Sequence, residues 1–265
     1  LHWLSFKSPI TLASPSGVWL TLCCGLGVIA VFYKLVLYPS VARAGEYRVT
    51  AVNRANGALH LTLAPIHKGF DFKAGQFAFL AMQVKGLREP HPFTIASANS
   101  ANGQISFMIR GLGDYTNALA ECAKVGMRAD LYAPYGRFKR VVQAEREIWI
   151  GAGVGISPFI SWLQDPAAKD FGKATLVYCF TPSRAFPPAE QVQTMARLRG
   201  AQFVSNAGGL ERLADTLRQA VTETDPDKVH VSFCGPKGLL VKVRELMNAH
   251  RIPPANLHSE RFEFR

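Results

Sequence analysis

The chain has 265 residues, 48% of them hydrophobic and 11% aromatic, enough length and apolar content for two packed domains and too much for a disordered protein. Its 30 Lys and Arg against 19 Asp and Glu give a formal charge of +11, which suits an anionic membrane surface, a phosphate-bearing ligand or nucleic acid. The basic residues are dispersed and no zinc-finger or RNA-binding motif accompanies them, so no nucleic-acid partner is expected. The cysteines, Cys23, Cys24, Cys122, Cys179 and Cys234, contain no C-x-x-C pair. Their spacing fits neither a disulfide framework nor a zinc or iron–sulfur centre, so no metal site is expected, and a reducing compartment is.

The first element in chain order is the apolar stretch "VWLTLCCGLGVIAVFYKLVLY" from Val18 to Tyr38, set between Pro15 and Pro39 and carrying one charge, Lys34. As a helix it is roughly 31 Å long, close to the ~30 Å hydrocarbon thickness of a bilayer. A transmembrane helix is expected over 18–38, behind an extramembrane segment over 1–17. Two other readings stay open. One is a signal peptide ending near "VARAG" at 41–45, although the stretch exceeds the usual signal core; the other is a buried helix, although it lacks a polar stripe. Lys34, Arg43 and Arg48 follow the span, and the positive-inside tendency then puts the rest of the chain in the cytosol. The chain starts at Leu1 and not at Met, so a fragment or a processed product is expected.

From Glu46 the apolar period becomes two. "EYRVTAV" and "ALHLTLAPI" flank Asn56-Gly57, a strong hairpin signal, and "QFAFLAMQV", "HPFTIAS", "QISFMIR" and "MRADLYA" continue the pattern, with one helix at "DYTNALAECAKV". A six-stranded antiparallel barrel is expected over 44–144. Beyond Gln143 four strands alternate with four helices, "EIWI", "ATLVYCF", "QFVS" and "KVHVSFC" being the strands. That alternation predicts a parallel sheet with helices on both faces over 145–265. The overall class is α+β followed by α/β, two domains behind one membrane helix.

Strand "EIWI" runs into "GAGVGISPF" at 151–159, where a G-x-G-x-x-G fingerprint would need glycine in place of Ile156. An NAD-binding unit also wants an acidic residue at the tip of its second strand. Here that strand ends in "TPSR", so Ser183 and Arg184 stand where a ribose 2′-phosphate would be held, unless Arg184 is an ordinary solvated loop residue. In the barrel, "HPFTIAS" puts Phe93 and Ile95 on one face and Thr94 on the other. "RGLGDYTNAL" supplies Arg110, Gly113 and a helix start at Asp114 to Thr116, whose free amides suit a pyrophosphate. An ordinary strand and an ordinary capped helix would read the same way one at a time.

The ordered set "HPFTIAS", "GLGDYT", "YAPYGRF", "GAGVGISPF", "CGP" and "SERFEFR" resembles the ferredoxin–NADP reductase superfamily over about residues 46–265. The aromatic-Thr form behind His-Pro is most similar to the dehydrogenase part of transmembrane ferric reductases and NADPH oxidases. The resemblance implies FAD on the barrel: His91, Pro92, Phe93 and Thr94 against the flavin, and Arg110, Gly113, Asp114, Tyr115 and Thr116 on its pyrophosphate. It implies NADPH, with NADH as the other choice, on Gly151, Gly153, Val154, Gly155, Ser157 and Pro158. Ser183 and Arg184 would then meet the 2′-phosphate, and Cys234, Gly235 and Pro236 the nicotinamide. Thr94, Cys234, Glu260 and Phe262 are the implied catalytic set, with Phe262 covering the flavin and Phe264 sharing its parity. The pattern differs at His91, Ala133 and Ser205-Asn206, where many members have arginine, glycine and a serine–arginine pair.

The function implied is hydride transfer from NADPH to FAD and single-electron delivery to haem, ferric iron or oxygen. Haem itself is expected only on helices upstream of Leu1 or on another chain, since His2 alone is a poor ligand. The implied location is a bacterial inner membrane, both nucleotide domains cytosolic. Two other classes of function remain: a flavin reductase serving a soluble partner such as ferredoxin, and a non-catalytic nucleotide sensor.

Overall fold

A computed structural model describes residues 14–33, 35 and 45–260. They fall into two units that divide between Arg43 and Ala44. In the first, helix α1 (Pro15–Phe32) begins where Ser14 Oγ accepts the amide of Gly17. Pro15, expected to lie just outside the span, occupies the first helical turn, where its missing N–H is not needed. The mean hydropathy of α1 is 1.8, and Trp19, Leu26, Val28 and Ile29 are all more than half exposed. This is not the packing of a soluble core helix. Lys34 and residues 36–38 of the expected span lie outside the described residues.

The second unit opens with β1 (Gly45–Ala55), β2 (Ala58–Pro65), β3 (Phe77–Met82), β4 (His91–Thr94), β5 (Ile105–Arg110), helix α2 (Asp114–Cys122) and β6 (Arg128–Tyr135). The strands pair antiparallel in the order β4-β3-β6-β1-β2-β5, and an Ile95–Phe107 bridge joins the two edges of the curled sheet. The six expected strands are all present. Asn56 and Gly57 take positive φ, 53° and 69°, the conformation a two-residue hairpin turn needs and these residue types tolerate. Along β2, Leu59, Leu61 and Leu63 are fully buried while His60 and Thr62 are not, so the period of two becomes one apolar face. Each such leucine contributes about 1.5–3 kcal/mol on burial.

Strand β7 (Arg146–Ala152), helix α3 (Ser157–Gln164), β8 (Ala174–Phe180), α4 (Ala189–Leu198), β9 (Gln202–Ala207), α5 (Glu211–Glu223), β10 (Val229–Cys234) and α6 (Lys237–Ala249) follow, and β11 (Leu257–Glu260) closes the described chain. All pairings are parallel, in the order β11-β10-β7-β8-β9. The expectation of four strands is corrected to five. "LHSE" in β11 has no apolar run because an edge strand, half-buried throughout, does not require one. Central β7 has Glu147 to Gly151 buried in an unbroken row, as helices on both faces demand.

The two sheets are locked through the connector after β6. Phe138 stacks on Trp162 at 5.1 Å, Trp162 Nε1 donates to the carbonyl of Ala74 (3.1 Å), and Ser161 Oγ donates to that of Ser97 (2.7 Å). Gly75, at φ 95°, allows this approach: a Cβ there would fall 2.3 Å from the Phe138 carbonyl oxygen. Two residues on, buried Arg140 grips buried Glu147 through Nε and Nη2 at 2.7–3.1 Å, and Nη2 also donates to the Asp170 carbonyl. Trp149 Nε1 donates to the same carboxylate, and the guanidinium lies 4.5 Å over Phe171.

Candidate functional site

A cleft of about 920 Å³ lies between β4, β5 and the start of α2 on one side and the carboxyl ends of β7 to β10 on the other. The barrel contributes His91, Pro92, Phe93 and Thr94, then Arg110, Gly113, Asp114, Tyr115 and Thr116. The order of strands explains their meeting: β4 and β5 are the two edges of the curled sheet. The His91 ring packs 3.7 Å from that of Tyr115, and its Nε2 is buried without a hydrogen-bond partner among the described residues. Burial raises the pKa of the Tyr115 phenol, which reaches back toward the Leu80 and Leu87 carbonyls. Thr116 Oγ1 accepts the amides of Leu112 and Gly113 at 2.9 and 3.1 Å, so it shapes the turn into α2.

Each glycine of "GAGVGISPF" has its own geometric reason. A Cβ on Gly151 would meet Ile156 at 2.7 Å, one on Gly155 would meet the Cys234 carbonyl oxygen at 2.4 Å, and Gly153 sits at φ 54°. Ile156 is fully buried. It occupies the space above Gly151, which is why a third glycine is not required. Ser157 Oγ donates to the Val154 carbonyl (2.6 Å), and Pro158 starts α3. Gly153, Val154, Gly155 and Ser157 face the cleft; Gly151 and Pro158 do not line it and serve the packing behind.

On the far wall are Arg184, Asn206, Cys234, Gly235 and Pro236, with Leu239 on α6; Ser183 does not line the cleft. Cys234 is completely buried, and desolvation, then the charge of Glu260, push its thiol well above the ordinary value. Glu260 pairs with Cys234 across β10 and β11 without lining the cleft. Its Oε2 is buried with no partner among the described residues, and burial raises its pKa to about 7. Phe262 and Phe264 lie outside the described residues, as does His2.

Arg110 is tied at both ends of its guanidinium. Nη1 donates to the Asn56 carbonyl (2.9 Å) and Nη2 to the Arg184 carbonyl (2.7 Å), and the residue lines the cleft. Burial first, and the nearby Arg184 second, lower its pKa. A cleft walled by Arg110, Arg184 and the first turns of two helices, with a buried orphan nitrogen at His91 and loops that a Cβ would block, fits a phosphate-bearing dinucleotide.

Comparison with known proteins agrees. Residues 46–147 match the FAD-binding domain family. The FAD/NAD-binding domain of nitric oxide dioxygenase from Vibrio cholerae superposes with a TM-score of 0.69 at 19% identity, covering 83% of this chain and 99% of that one. The fold is that of the ferredoxin–NADP reductases, and the family match covers residues 46–147. In sequence the chain is 25% identical to the reductase component of propane 2-monooxygenase from Rhodococcus jostii, over 81% of this chain and 62% of that protein. It thus spans less than two thirds of that relative's length. Human dual oxidase 1 is 34% identical over 52% of this chain and 10% of its own length.

The match over residues 46–147 marks the barrel as an FAD-binding domain, and the fold as a whole is shared with the FAD/NAD-binding domain of nitric oxide dioxygenase. Sequence reasoning missed several cleft residues. Leu112, 78% exposed, is the apolar residue inside "GLGDYT", and Met108 carries no motif. In sequence Asn206 is only a departure from the superfamily pattern; in the fold it is buried, its Nδ2 donating to the Gly208 and Gly209 carbonyls. The signal available was Gly208-Gly209 directly after a strand of a parallel sheet.

Proposed function

We propose that the chain is a membrane-anchored flavoprotein that carries reducing equivalents from NADPH, or less well NADH, through FAD to a haem, ferric iron or oxygen acceptor. The single observation that carries this reading is the shared cleft, where the barrel motifs, the glycine loop and Cys234 meet. Bound FAD would supply the hydride-accepting, electron-splitting chemistry. The protein's own part is geometric and electrostatic. His91 to Thr94 would hold the flavin, Thr94 offering a hydroxyl, while Arg110 and the turn from Gly113 to Thr116 would hold its pyrophosphate.

Gly153 to Ser157 would hold the nicotinamide nucleotide's pyrophosphate and Arg184 its 2′-phosphate, with Ser183 and the packing residues Gly151 and Pro158 behind them. Cys234, beside Gly235 and Pro236, would offer a neutral thiol to the nicotinamide; Glu260 and the terminal Phe262 complete the proposed catalytic set. Accordingly 44–144 is the FAD part, 145–265 the NADP part and 18–38 the membrane helix. Exposure of the apolar side chains of α1 supports the anchor, and the similarity to dual oxidase 1 supports an oxidase-type acceptor. The 81% coverage by an oxygenase reductase component favours a second reading, electron delivery to a soluble protein partner.

Anaerobic mixing of the purified full chain with NADPH or NADH, followed at the flavin absorbance band, tests the reading. Fast bleaching by NADPH, slowed by Arg184→Ala, is expected, with no Soret band from this chain alone. Bound flavin that neither nucleotide bleaches would leave a sensor instead, and equal rates with both nucleotides would remove the role of Arg184.

A further inference from the structure

The turn that carries Arg184 is held from the other sheet. Arg110 Nη2 donates to the Arg184 carbonyl (2.7 Å), and Asn56 Nδ2, at the tip of the β1–β2 hairpin, donates to the Ala185 carbonyl (2.9 Å). Arg110 Nη1 in turn holds the Asn56 carbonyl (2.9 Å), so hairpin and arginine act as one unit. From within its own domain the same turn is pinned by fully buried Tyr178, whose hydroxyl accepts the Phe186 amide (3.0 Å) and donates to the Pro187 carbonyl (3.1 Å). The backbone from Arg184 to Pro187 is therefore anchored from both sides, its first two carbonyls from the barrel and the Phe186 amide and Pro187 carbonyl from the parallel sheet.

The Arg184 guanidinium is left over. It is exposed on the cleft, makes no hydrogen bond among the described residues, and lies near a second cation, Arg110, with which it interacts unfavourably. Two cations lining one cleft, one of them on an anchored backbone, form a site that favours a dianion. The hairpin fixes the backbone from which the Arg184 side chain springs.

We propose that Asn56 and Arg110, residues of the FAD-binding barrel, are positioning residues for Arg184 and so set the preference of the opposite domain for a nucleotide bearing a ribose 2′-phosphate monoester. The inference rests on the functional reading above and deepens it: the specificity of one nucleotide site is built partly from the domain that binds the other. Sequence alone hides this, since Asn56 announces itself only as a hairpin turn.

Asn56→Gly is the discriminating variant. Glycine accepts the φ of 53° at this position, so the turn is kept and only the amide donor is lost. The probes are adenosine 2′,5′-bisphosphate and 5′-AMP, measured by calorimetry on the flavin-loaded full chain. The expected result is about 3- to 10-fold weaker binding of the bisphosphate, the worth of one hydrogen bond, with 5′-AMP affinity and flavin content unchanged. In an Arg184→Ala background the Asn56→Gly effect should vanish, since the two residues act in series. Equal weakening of both probes, no weakening, or additive effects of the two substitutions would overturn the proposal. If the wild-type chain binds neither probe, the nucleotide reading of the cleft fails, and the positioning role fails with it.

Discussion

Ile156 fills the space over Gly151, and its neighbours Phe159 and Trp149 are buried with it. Ile156→Gly would restore a G-x-G-x-x-G spacing on paper and empty that space in the fold. Loss of the buried side chain costs about 2–5 kcal/mol and the added backbone freedom up to about 1 kcal/mol more. The urea midpoint should fall accordingly, and an unchanged midpoint would sink the packing account. Glu260 makes a second prediction at this scale. Its folded pKa of about 7 stands above the unfolded carboxyl value of 4.5, because burial disfavours the charge. Between those values the folded state holds a proton that the unfolded state has released, so stability falls as pH rises from about 4.5 to 7, by on the order of 3 kcal/mol. Glu260→Gln should flatten that slope and raise stability at pH 8; a melting curve series that leaves the slope unaltered would speak against it. The chemical identity of both residues was readable in the chain, but what surrounds them was not.

Between elements, the connector after β6 matters most. Arg140 and Glu147 are seven residues apart, both buried, and tie the connector to β7 and to the loop before β8. Arg140→Met removes one partner and leaves a buried carboxylate, a loss of about 3–5 kcal/mol, whereas Arg140→Met with Glu147→Leu should regain most of it. Chemical denaturation of the three proteins checks this, and a double variant no better than the single would contradict it. The strands of the barrel and β7 to β10 were legible because alternation and short apolar runs are local signals. Strand β11 was not, since its half-buried side chains reflect an edge position that only the completed sheet defines. The partner of Arg140 was equally illegible: nothing local distinguishes it from Arg137, which lies in the same basic run "YGRFKR".

For the whole molecule, the proposed anchor rests on α1. α1 exposes apolar side chains along its length, which in water is unfavourable by tens of cal/mol for each Å². The full chain should float with liposomes, and Leu26→Asp, mid-helix, should cost about 2.5–3.5 kcal/mol of insertion and shift protein into the soluble fraction. A wild-type chain wholly soluble without lipid or detergent would reverse this expectation. By itself the sequence determined the apolar segment, the two kinds of sheet and the likeness to an FAD-binding family, because periodicity, turn chemistry and glycine spacing act over a few residues. Only the tertiary structure decided that Ile156 replaces a glycine by packing, that Gly151 and Pro158 stand behind the cleft, and that Asn56 reaches the Arg184 turn from the other domain. Those contacts join residues far apart in the chain, and no local pattern encodes a distance that the packing of two sheets creates.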